Sequence, residues 1–278
     1  MTTLRNTLSR LGLGALFVIM PACQQGDKPA SAKAVAAPAS GATHDAESFG
    51  DVVIAPRGNA YKVVQVQAPG SVSGTVTVKG TFTVIAPTAT GSDGPVCGGM
   101  IPDGSVRQQG AGLGDVVVWL DGIGAGKSPG LERRVELESN HCALTPRVQA
   151  AVTGSAVNII GHDDFRQHLR FTAGGETTPR ALILLGGGEQ VIPTELPFKA
   201  PGMVMVRDTA HAWTRAYLAV FDHPYFAVTT PNGAFTIDGV PAGKYTLHAW
   251  HERAGTTTQQ VQVAASGAVK VSIELTAR

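Results

Sequence analysis

The chain has 278 residues, of which 43% are hydrophobic, so it is long enough to bury one large core or two smaller ones. Its formal net charge is +1, and no cluster of Lys and Arg offers several phosphates a binding surface, which argues against a nucleic-acid partner. The 34 Gly and 17 Pro residues, together with many Val and Thr, favour short strands joined by tight turns. We therefore expect an all-β protein.

The first 22 residues have the layout of a secretory signal peptide. Arg5 and Arg10 precede the apolar run 11–20, and the small residue Ala22 closes the segment. The apolar run is too short to span a bilayer. Residues 1–22 are therefore predicted to be removed on export.

Cys23 follows this segment, and the letters MPAC resemble a bacterial lipobox, although Met20 stands where Leu is usual. The resemblance implies that the signal is cleaved and that Cys23 is lipidated. Gln24 after the cysteine implies a cell-envelope protein that faces the periplasm and is anchored to the outer membrane. The alternative is an ordinary signal peptide followed by a bystander cysteine. Residues 23–50 contain almost no large apolar side chains and are predicted to form a flexible linker.

From residue 51 the chain alternates polar and apolar residues in short runs, the pattern of half-buried strands. Asn232-Gly233 lies between two such runs and predicts a β-hairpin turn. A second reversal is predicted at 240–243, and a third at Ser266-Gly267. The predicted strands are 62–67, 71–79, 115–120, 133–138, two within 146–160, 169–172, 181–185, 202–207, 244–251, 257–263 and 268–275.

Two glycine-rich segments resemble nucleotide-binding motifs only superficially. Residues 121–128 lack the first glycine of a P-loop, and Pro129-Gly130 would block the helix that must follow. Residues 186–188 lack the spacing of a dinucleotide fingerprint. We expect no nucleotide partner.

Two cysteines remain if Cys23 is lipidated. In an exported protein the economical outcome is a disulfide between Cys97 and Cys142. The alternative is two free thiols, because spacing alone does not establish that they are close.

The run 146–217 resembles a cupredoxin, the Greek-key β-sandwich that binds copper. In that family one loop supplies the first histidine ligand, and a later stretch supplies a cysteine, a second histidine and a methionine. Here His168 and His211 match the two histidine positions, whereas Asp208 stands at the cysteine position and Thr214 at the methionine position. The resemblance implies a metal set of His168, Asp208 and His211, which suits Cu(II) or Zn(II). The alternative is a degenerate site whose polar groups bond to each other or to water.

The run 221–275 resembles the carboxypeptidase regulatory-like β-sandwich, which is non-catalytic where the resemblance is familiar. Residues 230–235, 240–247 and 261–263 carry the match. The domains expected are thus a cupredoxin-like domain at 70–220 and a carboxypeptidase regulatory-like domain at 221–278. The first strands of the former can instead belong to the latter, with the cupredoxin-like part inserted.

His248 and His251 lie on one predicted strand and should point to opposite faces, which argues against a zinc-peptidase motif. His251 is expected at the rim of the inward face, hydrogen-bonded to a neighbour.

Three functional hypotheses follow. The first is a non-catalytic, envelope-anchored β-sandwich that binds a partner, with no required cofactor. The second is a metal-binding protein, with copper as the metal. The third, a hydrolase, has only dispersed histidines in its favour.

Overall fold

The computed structural model describes residues 52, 54, 60–130, 133–174, 176, 179–195 and 200–278. The predicted signal peptide 1–22, the linker 23–50 and the lipidation site Cys23 lie outside the described residues. Within them, no helix is both long enough and apolar enough to cross a bilayer.

Strands dominate the described part of the chain, as the alternating sequence pattern predicts. A 3₁₀ turn at Gly91–Asp93 and one helical turn at Gly94–Cys97 interrupt them. The strands are β1 Lys62–Val63, β2 Gly70–Lys79, β3 Thr88–Ala89, β4 Met100–Ile101, β5 Gln108–Gln109, β6 Gly112–Leu113, β7 Val117–Asp121, β8 Ala125–Gly126, β9 Arg134–Asn140, β10 Ala143–Thr145, β11 Val148–Val152, β12 Ala156–Gly161, β13 Gln167–Ala173, β14 Ala181–Leu185, β15 Gln190–Glu195, β16 Gly202–Asp208, β17 Arg215–Phe221, β18 Phe226–Val228, β19 Ala234–Val240, β20 Gly243–His251, β21 Gly255–Val263 and β22 Ala268–Thr276.

The first sandwich is built from the middle of the chain. Sheet A has the strand order β10-β9-β12-β15, and sheet B has the order β11-β17-β16-β13-β14. Side chains such as Ile159 from sheet A meet Leu169, Phe171 and Val206 from sheet B in one buried cluster. This is the region of the cupredoxin resemblance.

The second sandwich combines strands from both ends of the described chain. Sheet C has the order β18-β7-β20-β21, and sheet D has the order β19-β2-β6-β5 with β22 also paired to β2. The pairing of β2 with β22 is parallel and joins Ser71 through Lys79 to Ala268 through Thr276. Strands β2 and β7 therefore belong to the sandwich that the C-terminal strands complete, and the first sandwich is inserted between β7 and β18.

A third apolar cluster joins the two sandwiches. The outer face of sheet B contributes Met205 and Tyr217, and the outer face of sheet C contributes Trp119 and Trp250. Strand β7 is consequently buried on both faces, because its alternate side chains, Val118 among them, enter the core of the second sandwich. Double burial explains why β7 is almost continuously hydrophobic rather than alternating.

The predicted hairpin at Asn232-Gly233 is wrong. Strand β18 pairs with β7 in sheet C, whereas β19 pairs with β2 in sheet D. The turn itself is present, since the Gly233 amide donates to the Thr230 carbonyl over 2.7 Å and Gly233 has φ +81°. The turn carries the chain from sheet C to sheet D. The partner of each strand, β7 for β18 and β2 for β19, lies far away in the sequence. The turn after β21 at Ser266-Gly267 likewise leads to β22 in the other sheet.

A substitution at Gly112 tests how closely β6 approaches the turn at Asn232-Gly233. A Cβ atom added at Gly112 would lie 2.0 Å from the Asn232 carbonyl oxygen. Backbone cannot move away as a flexible side chain does, so Gly112→Ala should lower the free energy of unfolding by about 2 kcal/mol or more. Urea unfolding measures this. The matched control is Gly99→Ala, where an added Cβ meets nothing within 4 Å. Equal stability of the two variants would contradict the close approach.

Candidate functional site

Asp208 is the last residue of β16, and its carboxylate is buried beneath one end of the first sandwich. One oxygen accepts a hydrogen bond from the Ala210 amide over 2.9 Å and from the His168 amide over 3.3 Å. The other lies 2.6 Å from Nδ1 of His211. A buried carboxylate needs such partners, because desolvation without them is costly.

His211 lies in the loop between β16 and β17 and is itself buried. The loop is fixed locally, since the Thr214 amide donates to the His211 carbonyl over 2.9 Å. The ring edge opposite Asp208 faces another acid, with 3.3 Å between Nε2 and a carboxylate oxygen of Asp93. Phe165 packs against the ring edge to face, with 4.8 Å between centroids. Both imidazole nitrogens are thus within reach of carboxylates.

Asp93 belongs to a segment that we call the cap, residues 88–101, which contains β3, the two short helical turns and β4. A disulfide between Cys97 and Cys142 ties the cap to the first sandwich, with 5.5 Å between the Cα atoms. The disulfide predicted from the sequence is thus confirmed. The bond places Asp93, a residue not predicted as part of the site, beside His211.

Asp163 holds the other end of the disulfide in place. Both of its oxygens lie 3.1 Å from the Cys142 amide, and the Ser139 hydroxyl donates to it over 2.9 Å. Cys142 and His141 have positive φ, a conformation that non-glycine residues adopt rarely. The carboxylate satisfies the amide that this turn buries.

His168 does not join Asp208 and His211, so the structure does not assemble the predicted ligand set. In β13 the odd-numbered residues face the core, where Leu169 lies opposite Asp208, and the His168 side chain is exposed. The inward neighbour is Gln167, which is buried and whose amide nitrogen has no hydrogen-bond partner in the described residues. Because strand side chains alternate, an error of one residue moves a side chain to the opposite face.

The groups at this position do not fit a blue-copper centre. Such a centre needs two imidazoles and a thiolate in a trigonal plane. Only His211 supplies an imidazole, Asp208 replaces the thiolate, and Cys97 and Cys142 are bonded to each other. Among the described residues, no group of three or more His, Cys, Asp or Glu side chains is arranged to hold a metal ion.

Residues 204–276 match the family model of the carboxypeptidase regulatory-like domain. The match begins in β16 of the first sandwich and continues through β17 into the strands of the second. A comparison with curated protein sequences gave no match.

Solved structures similar to part of the chain are cupredoxins and a related copper enzyme. The copper-containing nitrite reductase of Thermus scotoductus SA-01 is 18% identical over 32% of this chain and 22% of its own, with a TM-score of 0.28. A mutant amicyanin in the Cu(I) form is 17% identical over 31% of this chain and 81% of its own, with a TM-score of 0.26. Oxidised plastocyanin from Dryopteris crassirhizoma is 16% identical over 31% of this chain and 99% of its own, also with a TM-score of 0.26.

The remaining histidines that drew interest in the sequence occupy separate places. His248 stacks on Trp119, with 4.8 Å between ring centroids. His251 is 0% exposed and is not the rim residue that was expected. It accepts a hydrogen bond at Nδ1 from the Arg253 amide over 3.1 Å, and its buried Nε2 has no partner in the described residues. The core continues to the end of β20, which the strand's alternation alone does not reveal.

We predict that Asp208→Ala destabilises the protein by about 3 to 5 kcal/mol, because it leaves the His211 ring nitrogen and two backbone amides buried without their acceptor. The control is Asp93→Ala, which removes the partly exposed partner of the same ring and should cost about 0 to 1 kcal/mol. Urea unfolding of both variants measures the difference. A loss below about 1 kcal/mol for Asp208→Ala would show that the carboxylate does not support the loop.

His251 should make the fold sensitive to acid. Burial, with smaller contributions from the charges of Arg253 and Arg147, lowers the pKa of His251 to about 4 from an ordinary value of 6.5. Below pH 6.5, His251 binds a proton in the unfolded chain but stays neutral in the folded chain. The free energy of unfolding therefore falls as the pH drops from 6.5 towards 4. The loss attributable to this residue is roughly 3 kcal/mol at most.

Unfolding experiments at several pH values check this, with His251→Gln as the test variant. It should lose less stability than the wild type between pH 6.5 and 4. His162→Gln is the control, because the hydrogen bond that the His162 ring donates to the Glu189 carboxylate raises the pKa of His162 and therefore gives the opposite sign. An unchanged acid dependence in His251→Gln would refute the assignment.

Proposed function

We propose that the chain is a non-catalytic, envelope-anchored β-sandwich protein that serves as a binding or interaction module. The observation that carries the proposal is the state of the His211 imidazole, whose two nitrogens face Asp208 and Asp93. In this arrangement the polar groups at the cupredoxin-like position stabilise the end of the sandwich and hold the cap. They are engaged with one another rather than directed at a ligand.

The contacts of Asp208 support the same proposal. Its two oxygens are used by one ring nitrogen and two backbone amides. The Asp208 carboxylate therefore has a structural role in its loop. A general base would instead need an oxygen directed towards a substrate. Residues 204–276 match the carboxypeptidase regulatory-like domain, and the resemblance to that domain implies a non-catalytic module.

A second candidate is a metal-handling protein, for copper or zinc. It is favoured by the approach of His211 Nε2 to the partly exposed Asp93 carboxylate, since an imidazole and a carboxylate both bind Cu(II) and Zn(II). The exposed His168 would have no part in such a site. This candidate requires the two groups to exchange their contact with each other for bonds to the metal.

Calorimetric titration with Cu(II) and with Zn(II) separates the two candidates. The wild type should show no blue-copper absorption and no binding event that His211→Gln removes. The exposed His168→Ala and the partly exposed His162→Gln serve as controls for weak binding at surface histidines. Binding that falls more than about tenfold in both His211→Gln and Asp93→Ala would replace the interaction module by the metal-handling candidate.

The proposed anchor is the lipid on Cys23, which lies outside the described residues. We expect mass spectrometry of the membrane fraction to find a mature chain that begins at a diacylated Cys23, because the preceding segment has the layout of a cleaved signal. Cys23→Ser should move the protein to the soluble fraction. Recovery of the wild type as a soluble protein with a different first residue would contradict the anchor.

A further inference from the structure

Strand β14 lies at the edge of sheet B, where it pairs only with β13 among the described strands. Its sequence, Ala181–Leu185, contains no charge and no proline, and its register with β13 runs without a bulge. Natural proteins usually protect an edge strand with a charge, a proline or a β-bulge, because the backbone groups of an open apolar edge attract another strand. Among the described strands this edge is therefore open and lacks these protections.

The two faces of β14 have different characters. Ile183 and Leu185 point towards the core of the first sandwich, where they pack at its margin. Leu182 and Leu184 point outwards and are 54% and 58% exposed. A strand added beside β14 would extend the core with inward apolar side chains and would cover the two exposed leucines with its outward ones.

The outward face beside these leucines is cationic. In the register of the sheet, His168 lies opposite Leu184, and Arg170 lies opposite Leu182. Arg166, two residues before His168, is also exposed. In the described structure these three side chains make no ion pair or hydrogen bond. Asp164 is the nearest acid along the chain, and its one charge does not offset two arginines.

The positive charge continues across the sheet. Arg170 lies directly opposite Arg207 on β16, and Arg207 lies directly opposite Arg215 on β17. Arg215 hydrogen-bonds the Tyr217 side chain, a neutral group. Arg207 and Arg215 already have partners within the chain, so the cationic groups offered to another protein are Arg166, His168 and Arg170.

We propose that β14 is a docking edge for an extended segment of a partner protein, which adds to sheet B as a further strand and places acidic side chains over Arg166, His168 and Arg170. Backbone hydrogen bonds to the open edge supply affinity, and the exposed side chains of Arg166, His168 and Arg170 select acidic sequences. Neighbouring strands lie about 4.8 Å apart, so Glu and Arg side chains meet above the intervening leucines. The inference rests on the proposed function and names the chemistry of its partner.

The test uses the full mature chain with Cys23→Ser and a short synthetic peptide that alternates Val and Glu. Binding is followed by the amide resonances of β13 and β14 as the peptide is added up to about 1 mM, a range that captures weak strand addition. Two matched peptides carry Lys in place of Glu, or the same Glu sequence with methylated backbone amides. Only the unmodified Glu peptide should shift the β14 amides, and the shift should weaken at high salt.

Variants then locate the interaction. Arg166→Gln combined with Arg170→Gln should weaken binding of the Glu peptide by roughly tenfold, the value of two exposed ion pairs. The matched control is Arg134→Gln, an exposed arginine of sheet A, together with Val191→Ser on β15, which is the edge of that sheet and is 61% exposed. These changes should leave the affinity unaltered.

Three results would overturn the inference: no shift of β14 at the highest peptide concentration, equal binding of the Glu and Lys peptides, or shifts of β14 that depend on protein concentration without peptide. The last result would make a second copy of this chain the occupant of the edge. If the peptide fails and no metal binds at His211, the proposed binding role stands with a different surface and only this inference falls.

Discussion

The end of the first sandwich depends on one buried carboxylate. Asp208 closes β16, and its oxygens accept hydrogen bonds from the neighbouring strand β13, from its own loop and from an imidazole three residues away. These bonds fix the loop that leads into β17 and set the ring of His211 at a defined angle to the cap. An unpaired buried charge is costly, so the donors around Asp208 must keep their positions. This constrains a loop at the end of the sandwich as strongly as packing constrains the core. This constraint supports the function proposed above, because the groups at the cupredoxin-like position are used to hold the fold.

The second constraint is topological. The first sandwich is inserted into the second, and the parallel pairing of β2 with β22 closes the second sandwich around the insertion. Trp119 and Trp250 seal the contact between the two on the outer face of sheet C. The described residues all belong to one compact unit that runs from 45 to 278. A change in one sandwich, such as a cavity at Trp250, should therefore be felt in the other.

Much of this fold could be predicted from the sequence, because period-2 alternation and turn chemistry are local signals. The strands at 71–79, 181–185 and 268–275 were predicted within one or two residues of β2, β14 and β22. The partners of strands are not local, which is why Asn232-Gly233 was interpreted as a hairpin although it joins two sheets. A turn fixes the direction of the chain but not the sheet that receives the next strand.

The candidate site was predictable in the same uneven way. Asp208 and His211 lie three residues apart and share one motif, and they do meet. His168 was expected to join them and lies on the outward face instead, and only the pairing of Leu169 with Asp208 shows which residues of β13 face inwards. Asp93 could not be found from sequence, since 115 residues separate it from Asp208 and a disulfide brings it near. An unpaired Gln167 amide is visible only once the core is built.

The central claim is that the His211 ring is held by Asp208 and Asp93 and does not bind a metal. Nitrogen-15 NMR of histidine side chains, with Zn(II) added to the folded protein, measures this directly because the resonances of Nδ1 and Nε2 report the group bound to each nitrogen. The account predicts that both His211 resonances keep their positions, whatever happens at the exposed His168 and the partly exposed His162. A large Zn(II)-dependent shift of His211 Nε2, absent in Asp93→Ala, would contradict it.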